Sequence, residues 1–563
     1  MTRFVDTQIA HIPVRGPGVP KENLFTVPET SWMPYMWSIN NVVMAEVAHT
    51  SLGYWQAGRS DAAFSVFKGC LLDSMFLGLC PGNVGAMSYY DMARGEAQRD
   101  FADGCGATSR ALVEGLFGVK PDLLAGEIKI RPGFPAEWNH ASIRHPDFEF
   151  GFQCDGLRET YKLQNHFARP VKWTLKIPAL RADIARVTVN GNAAGWRLVQ
   201  DAVGKPLVEI SAEAASEQVI IVQWAEGPIE IRAQISTAVI TRKETFSVKF
   251  DADALLKVQD PQDALSRVVV REHDFEGRAT GPPGQHTVFV QLRQGAMTWW
   301  QPVTFEIRAE LAPGAPFDWA QPVAGKLETV DLSAQFNDMV TQIFRNEYRS
   351  PRSPFVSLAQ PKQGLGAWCD FKTEFTVDDS GLRATAARNG GNIVLPNGVP
   401  LQTPGAAEAK NIVFTSQWDN YPREVSVPLT GKSSHAFLLM AGSSNPMQSR
   451  FDNGEVIVTY MDGTTARLAL NNPVNWWLIN EDYFIDDYAF RRDEPIPPRV
   501  DLKTGKVRLL DVKTFKGKGG KISGGAATVL DLPLDATKEL KSLTVRALAN
   551  EVVIGLMSVT LAR

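Results

Sequence analysis

The sequence predicts a small α-helical region followed by a series of antiparallel β-sandwiches. Three observations predict it. Apolar residues recur at helical spacing almost only before about residue 120. After Pro121 the pattern changes to short alternating segments cut by turn residues. At 563 residues the chain also exceeds what one hydrophobic core can organise.

The opening stretch, rich in proline and glycine (Pro13, Gly16, Pro17, Gly18, Pro20, Pro28), reads as loop. A helix follows over about 38–57, with Ser38 as N-cap and Gly58 as the left-handed stop. A second covers about 61–77, between Ser60 and Gly78, and a third about 103–117, capped by Asp103 and closed by Gly118. All three are apolar around most of their circumference, which suits helices packed on two sides. Beyond them, Ile128–Arg131, Val187–Val189 and Val219–Trp224 read as strands, and Asn190-Gly191 as a hairpin turn. Leu332–Tyr348 is the exception, with Phe336, Val340, Ile343 and Phe344 at helical spacing. Breaks near Ala233 and within Ala312–Val323 divide the chain into a helical region (1–120), a β-sandwich (121–233), an immunoglobulin-like sandwich (234–320) and a jelly-roll-like module (321–563).

With 44% hydrophobic residues, 21% charged residues and a net charge of −4, nothing points to a nucleic acid or an anionic membrane surface. No apolar run approaches the roughly 20 residues that span a bilayer. The five cysteines show neither a disulfide framework nor metal spacing; Cys70, Cys80 and Cys105 read as buried free thiols of the helices. Phosphate-loop, dinucleotide, nucleophile-elbow and zinc patterns are missing, so no cofactor or metal is expected. Met1–Arg15 has no signal-peptide pattern, and localisation stays open.

Two loop-to-helix entries carry the candidate chemistry. The first holds Trp32, Tyr35, Trp37, Asn40 and Asn41, where aromatic faces suit sugar C–H surfaces and carboxamides suit hydroxyls. The bland alternative is that Trp32 and Trp37 wedge the helix against its neighbours. The second holds Tyr89, Tyr90, Asp91, Arg94, Asp100 and Asp103, a carboxylate group among aromatics of the kind glycosyl hydrolysis uses. Asp103 has a competing duty as a helix cap and Asp100 as a partner of Arg94 or Arg99, so Asp91 ranks first. Glu46 and His49, one turn apart, read as a buried structural pair, and His11 as a lone loop histidine.

The run from Asp103 to Val119, followed by Ile128–Gly133, resembles the final barrel helix of six-hairpin glycosidases and the strand that opens their sandwich. Phe344–Pro354, Gly364–Cys369, Asp378–Arg383, Trp418–Pro422 and Asn453–Glu455 resemble a family of large bacterial glycosidase-like proteins with a domain of unassigned function. The resemblance covers most of the chain. It implies the C-terminal hairpins of an (α/α)6 toroid followed by antiparallel sandwiches, with both loop-to-helix entries facing the cavity and relatives that are periplasmic or secreted. It further implies inverting hydrolysis of an oligo- or polysaccharide, with Asp91 as general base and Asp103 or Asp100 assisting. The remaining hairpins, and the general acid, would come from an absent amino half, a companion chain or self-association. Two rivals stand beside this: a non-catalytic carbohydrate-binding protein using exposed Trp299, Trp300, Trp476 and Trp477, and an inactive remnant whose helices only scaffold the sandwiches.

Overall fold

The computed structural model describes residues 2–30, 41–77, 103–229, 233–236, 238–282, 284–308, 319, 321–323, 325–346, 375–417, 420–444, 448–482, 496–510, 521–550 and 552–563. Two compact units emerge: one holds residues 1–3, 11–27 and 42–311, the other 4–10, 28–41 and 312–563.

The helices are α1 (Thr2–Gln8), α2 (Met44–Gln56), α3 (Ser60–Leu71), α4 (Asp103–Arg110) and α5 (Ser380–Arg388). π-helical turns at Leu72–Phe76 and Ala111–Leu116 extend α3 and α4. Gly58 (φ +76°) ends α2 and Gly118 (φ +67°) follows the second π turn, both in the conformation glycine adopts without strain. α2 starts later than the sequence suggests, because Val43 is extended; Ser38 lies outside the described residues.

The expected toroid hairpins are not what the chain forms. Among the described residues the longest α-helix has 13 residues, and strands dominate. The sequence signal was two-sided apolarity, which α2 satisfies in a compact cluster against the neighbouring sandwich. Val47, Ala48, Leu52 and Trp55 are buried there. A Cβ on Gly115 would lie 2.2 Å from the Trp55 ring, so that indole rests on bare backbone, and its Nε1 donates to the Gly133 carbonyl at 2.8 Å. No ring of helices is needed to bury these faces.

The first sandwich pairs a six-stranded sheet (Asn192–Ala193, Ile184–Val189, Glu217–Trp224, Arg158–Asn165, Phe148–Asp155, His140–His145) with a five-stranded one (Arg197–Leu198, Leu207–Ala215, Val171–Pro178, Glu127–Ile130, Val119–Asp122). Asn190 (φ 49°) and Gly191 (φ 83°) make the expected tight turn. Pairing is antiparallel except where Glu127–Ile130 runs parallel to Val171–Pro178. The second sandwich pairs two four-stranded sheets, one built on Thr245–Phe250 and Asp274–Ala279, the other on Gly284–Gln294 and Met297–Arg308. Main-chain bonds join the two sandwiches: Gly204 donates to Trp300 O and Trp300 to Ala202 O, both at 2.8 Å.

In the second unit a seven-stranded sheet centred on His435–Ser444 and Val552–Ala562 faces a four-stranded one built on Leu540–Ala547 and Asp452–Tyr460. Its central strands are buried on both faces, hence their continuous apolar runs. One core fills the space between the sheets. A second covers the far face of the larger sheet with α5 and the Asn392–Gln402 hairpin. Those two cores explain why no α-helix forms over 332–346. Phe336 packs on the first core and Val340, Ile343 and Phe344 on the second, while Asn337 and Asp338 bond the Ile412 main chain. The described part holds only a 3-10 turn, Val340–Gln342, and the additional helix lies at Ser380–Arg388 instead.

Candidate functional site

Trp32, Tyr35, Trp37, Asn40, Tyr89, Tyr90, Asp91, Arg94 and Asp100 lie outside the described residues. Asn41 is buried and its carbonyl accepts the Glu29 amide at 2.8 Å, a structural bond. Asp103 is the first residue of α4. Glu46 and His49 are both exposed on α2, which corrects the buried pair, and His11 packs edge-on against Phe25 at 5.5 Å. Cys70 is buried as expected, but Cys105 is exposed. Trp299, Trp476 and Trp477 are fully buried core residues, so they offer no exposed aromatic platform; Trp300 is half-buried.

Among the described residues, a groove with room for a small ligand lies in the first unit. It encloses about 410 Å³ between α3, residues 22–24 and the loop after strand Glu127–Ile130, within the range of small-molecule clefts. Its helical wall is Asp61, Phe64, Ser65 and Lys68, at the i, i+3, i+4 and i+7 positions that share one face of a helix. The facing loop supplies Pro135, Glu137 and Trp138. Asp61 Oδ1 accepts the Ala136 amide at 3.1 Å, and Lys68 Nζ lies 2.7 Å from Glu22 Oε2. Gly69 lets α3 come this close to residues 22–26, since a Cβ there would sit 2.1 Å from the Phe25 carbonyl oxygen.

Trp138 is half-buried and held at the end of a run of rings. Phe64 meets it edge-on at 5.1 Å and Phe134 stacks on it at 6.0 Å. Phe134 stacks in turn on Phe152 at 5.2 Å, which leans on Tyr161 at 5.3 Å. These contacts fix the indole plane before any ligand arrives. The groove thus presents an oriented apolar ring beside Asn23, Ser65, Lys68 and three carboxylates (Glu22, Asp61, Glu137), a combination able to stack a sugar ring and bond its hydroxyls. Sequence reasoning missed it. The signal was present as the α3 face and the aromatic loop Phe134–Trp138, but only the fold brings residues about 75 apart together.

Perturbed carboxyls elsewhere are candidates by the same logic that finds catalytic acids. Burial pushes Glu159 up, yet it faces the first sandwich's core and accepts Trp224 Nε1 at 3.0 Å. Burial pushes Glu481 up to about 7, opposed by Lys521, and its carbonyl accepts the buried Arg499 guanidinium. The motifs behind the family resemblance prove to be staples where described. Arg383 pairs with Asp379 at 2.9 Å and donates to the Ala409 carbonyl at 3.0 Å, while Asn411 reaches the same carboxylate at 2.8 Å. Tyr421 donates to Asp338 at 2.7 Å, and Asn346 donates to both. Asn453 holds the turn carbonyls of Gln448 and Phe451, and Glu455 bridges Arg467 and Arg546. Gly364–Cys369, Trp418 and Asp419 lie outside the described residues. Among the described residues no group of His, Cys, Asp and Glu is placed to hold a metal ion, and no helix is long and apolar enough to cross a membrane.

No protein-family profile and no curated protein matches the chain. Among solved structures, a polysaccharide lyase is similar at 9% identity over 32% of this chain and 37% of its own, with a TM-score of 0.16. A gamma-CGTase from alkalophilic Bacillus clarkii follows at 8% identity, covering 34% and 26%, with a TM-score of 0.11. InvD of Yersinia pseudotuberculosis is similar at 10% identity, covering 55% and 74%, with a TM-score of 0.13. The matches thus span well under half the length of the lyase and of the CGTase, and scores this low do not establish a shared fold.

Proposed function

We propose that this chain is a glycan-binding protein whose groove beside Trp138 takes a saccharide. The observation that carries this reading is the oriented, half-buried indole lining a cleft of sugar size, flanked by side chains able to accept from and donate to hydroxyls. Stacking supplies affinity through the apolar face of the sugar, and the polar rim fixes its orientation. Binding of a polysaccharide panel to the full chain tests it, with Trp138→Ala as the groove-disabling change and Trp138→Phe as the conservative one. The hydrolytic version of the reading adds inverting cleavage, with Asp91 as general base and Asp100 or Asp103 assisting. Its support is residue chemistry alone, carboxylates among tyrosines at a loop-to-helix entry.

A further inference from the structure

The charge on the groove says more than glycan binding in general, and the selectivity it implies rests on that reading. Three carboxylates (Glu22, Asp61, Glu137) line it against one ammonium (Lys68), so 1 − 3 leaves a formal charge of −2. Lys68 lies 2.7 Å from Glu22, so the lining's single cation is already engaged by a wall carboxylate. Asp61 and Glu137 then remain as exposed acceptors on opposite walls, beside Phe64 and Trp138. A uronate brought onto Trp138 would set its carboxylate among like charges, whereas a protonated 2-amino sugar would bring the opposite charge to the same place while keeping its C–H face for the ring.

We infer that the groove selects amino sugars carrying a free ammonium over their N-acetylated counterparts, and excludes uronates. The pairs are solvent-exposed, so the preference is modest: about two- to tenfold at low salt, shrinking as salt screens it.

Three probes test this on the full chain by calorimetry at low and at high sodium chloride: a glucosamine hexamer, an N-acetylglucosamine hexamer and a galacturonate hexamer. The expected order is glucosamine first, N-acetylglucosamine second and galacturonate last. The gap between the first two should close in Asp61→Asn/Glu137→Gln, where the carboxamide introduced on α3 can still accept the Ala136 amide. Trp138→Ala should weaken binding of both amino-sugar oligomers. Binding that needs Trp138 but ranks the probes alike, or an order untouched by the double substitution, overturns the charge selection and leaves the glycan reading standing. Binding of none of the three overturns this inference, and failure across the wider polysaccharide panel would also remove the glycan reading; binding indifferent to Trp138→Ala overturns both.

Discussion

Gly69→Ala sets two effects of opposite sign against each other at the groove wall. Inside a helix, alanine in place of glycine is favourable by roughly 0.5–1 kcal/mol. Here the added Cβ would stand 2.1 Å from the Phe25 oxygen, 2.7 Å from its carbon and 2.9 Å from its nitrogen, all backbone atoms that cannot rotate away. An ordinary carbon–oxygen approach is about 3.3 Å, so α3 and residues 22–26 must part by roughly 1.2 Å. Overpacking of this kind costs about 1–3 kcal/mol. The clash wins, for a net loss of about 1–2 kcal/mol and a Tm lower by roughly 2–8 °C in scanning calorimetry of the full chain. Because Lys68 and Glu22 flank the same contact, their ion pair loosens and saccharide affinity falls with stability. An alanine variant as stable as the parent would refute the close approach of α3 to this segment.

Three further outcomes depend on carboxyl groups. Glu481 has a folded pKa of about 7 against an ordinary 4.5, so the folded state holds its proton where the unfolded chain has lost it. Stability present below pH 4.5 is therefore lost as pH rises toward 7, on the order of 3 kcal/mol, and then levels off; Glu481→Gln should remove that slope from urea unfolding measured across the range. If the hydrolytic reading holds, Asp91→Asn lowers turnover by roughly 100- to 10,000-fold. Asp103→Asn, a change of equal size at the first residue of α4, leaves stability unchanged; a glycan-release assay in which Asp91→Asn keeps full rate would remove Asp91 from the chemistry.

The β architecture was legible because turn residues and alternation are local signals: Asn190-Gly191 makes its turn, and Gly58 and Gly118 stand at their left-handed stops. The toroid was not, because apolarity on two sides of a helix says that it is covered and not by what. Trp55 is covered by Gly115 and Gly133, a packing no periodicity encodes. The 332–348 segment misled for a related reason, since its apolar residues divide between two cores rather than lining one helix face. α5 was hidden by its polar, alanine-rich sequence, where Leu382 and Ala386 alone among the apolar positions reach zero exposure. The groove required tertiary contact, through Asp61 and Ala136, to exist at all. Trp299 and Trp476 looked like platforms because an aromatic pair reads the same in a core and on a surface; their burial decides the matter.

The central claim is that Trp138 is a pre-set stacking platform for a saccharide, and titration of the full chain with the bound members of a polysaccharide panel, before and after Trp138→Ala, tests it most directly. Loss of an aromatic contact worth about 0.5–1.5 kcal/mol predicts affinity lower by roughly two- to tenfold, with Trp138→Phe between the two and circular dichroism unchanged. Undiminished affinity in a folded Trp138→Ala protein, or no saccharide bound by the parent, would contradict the account.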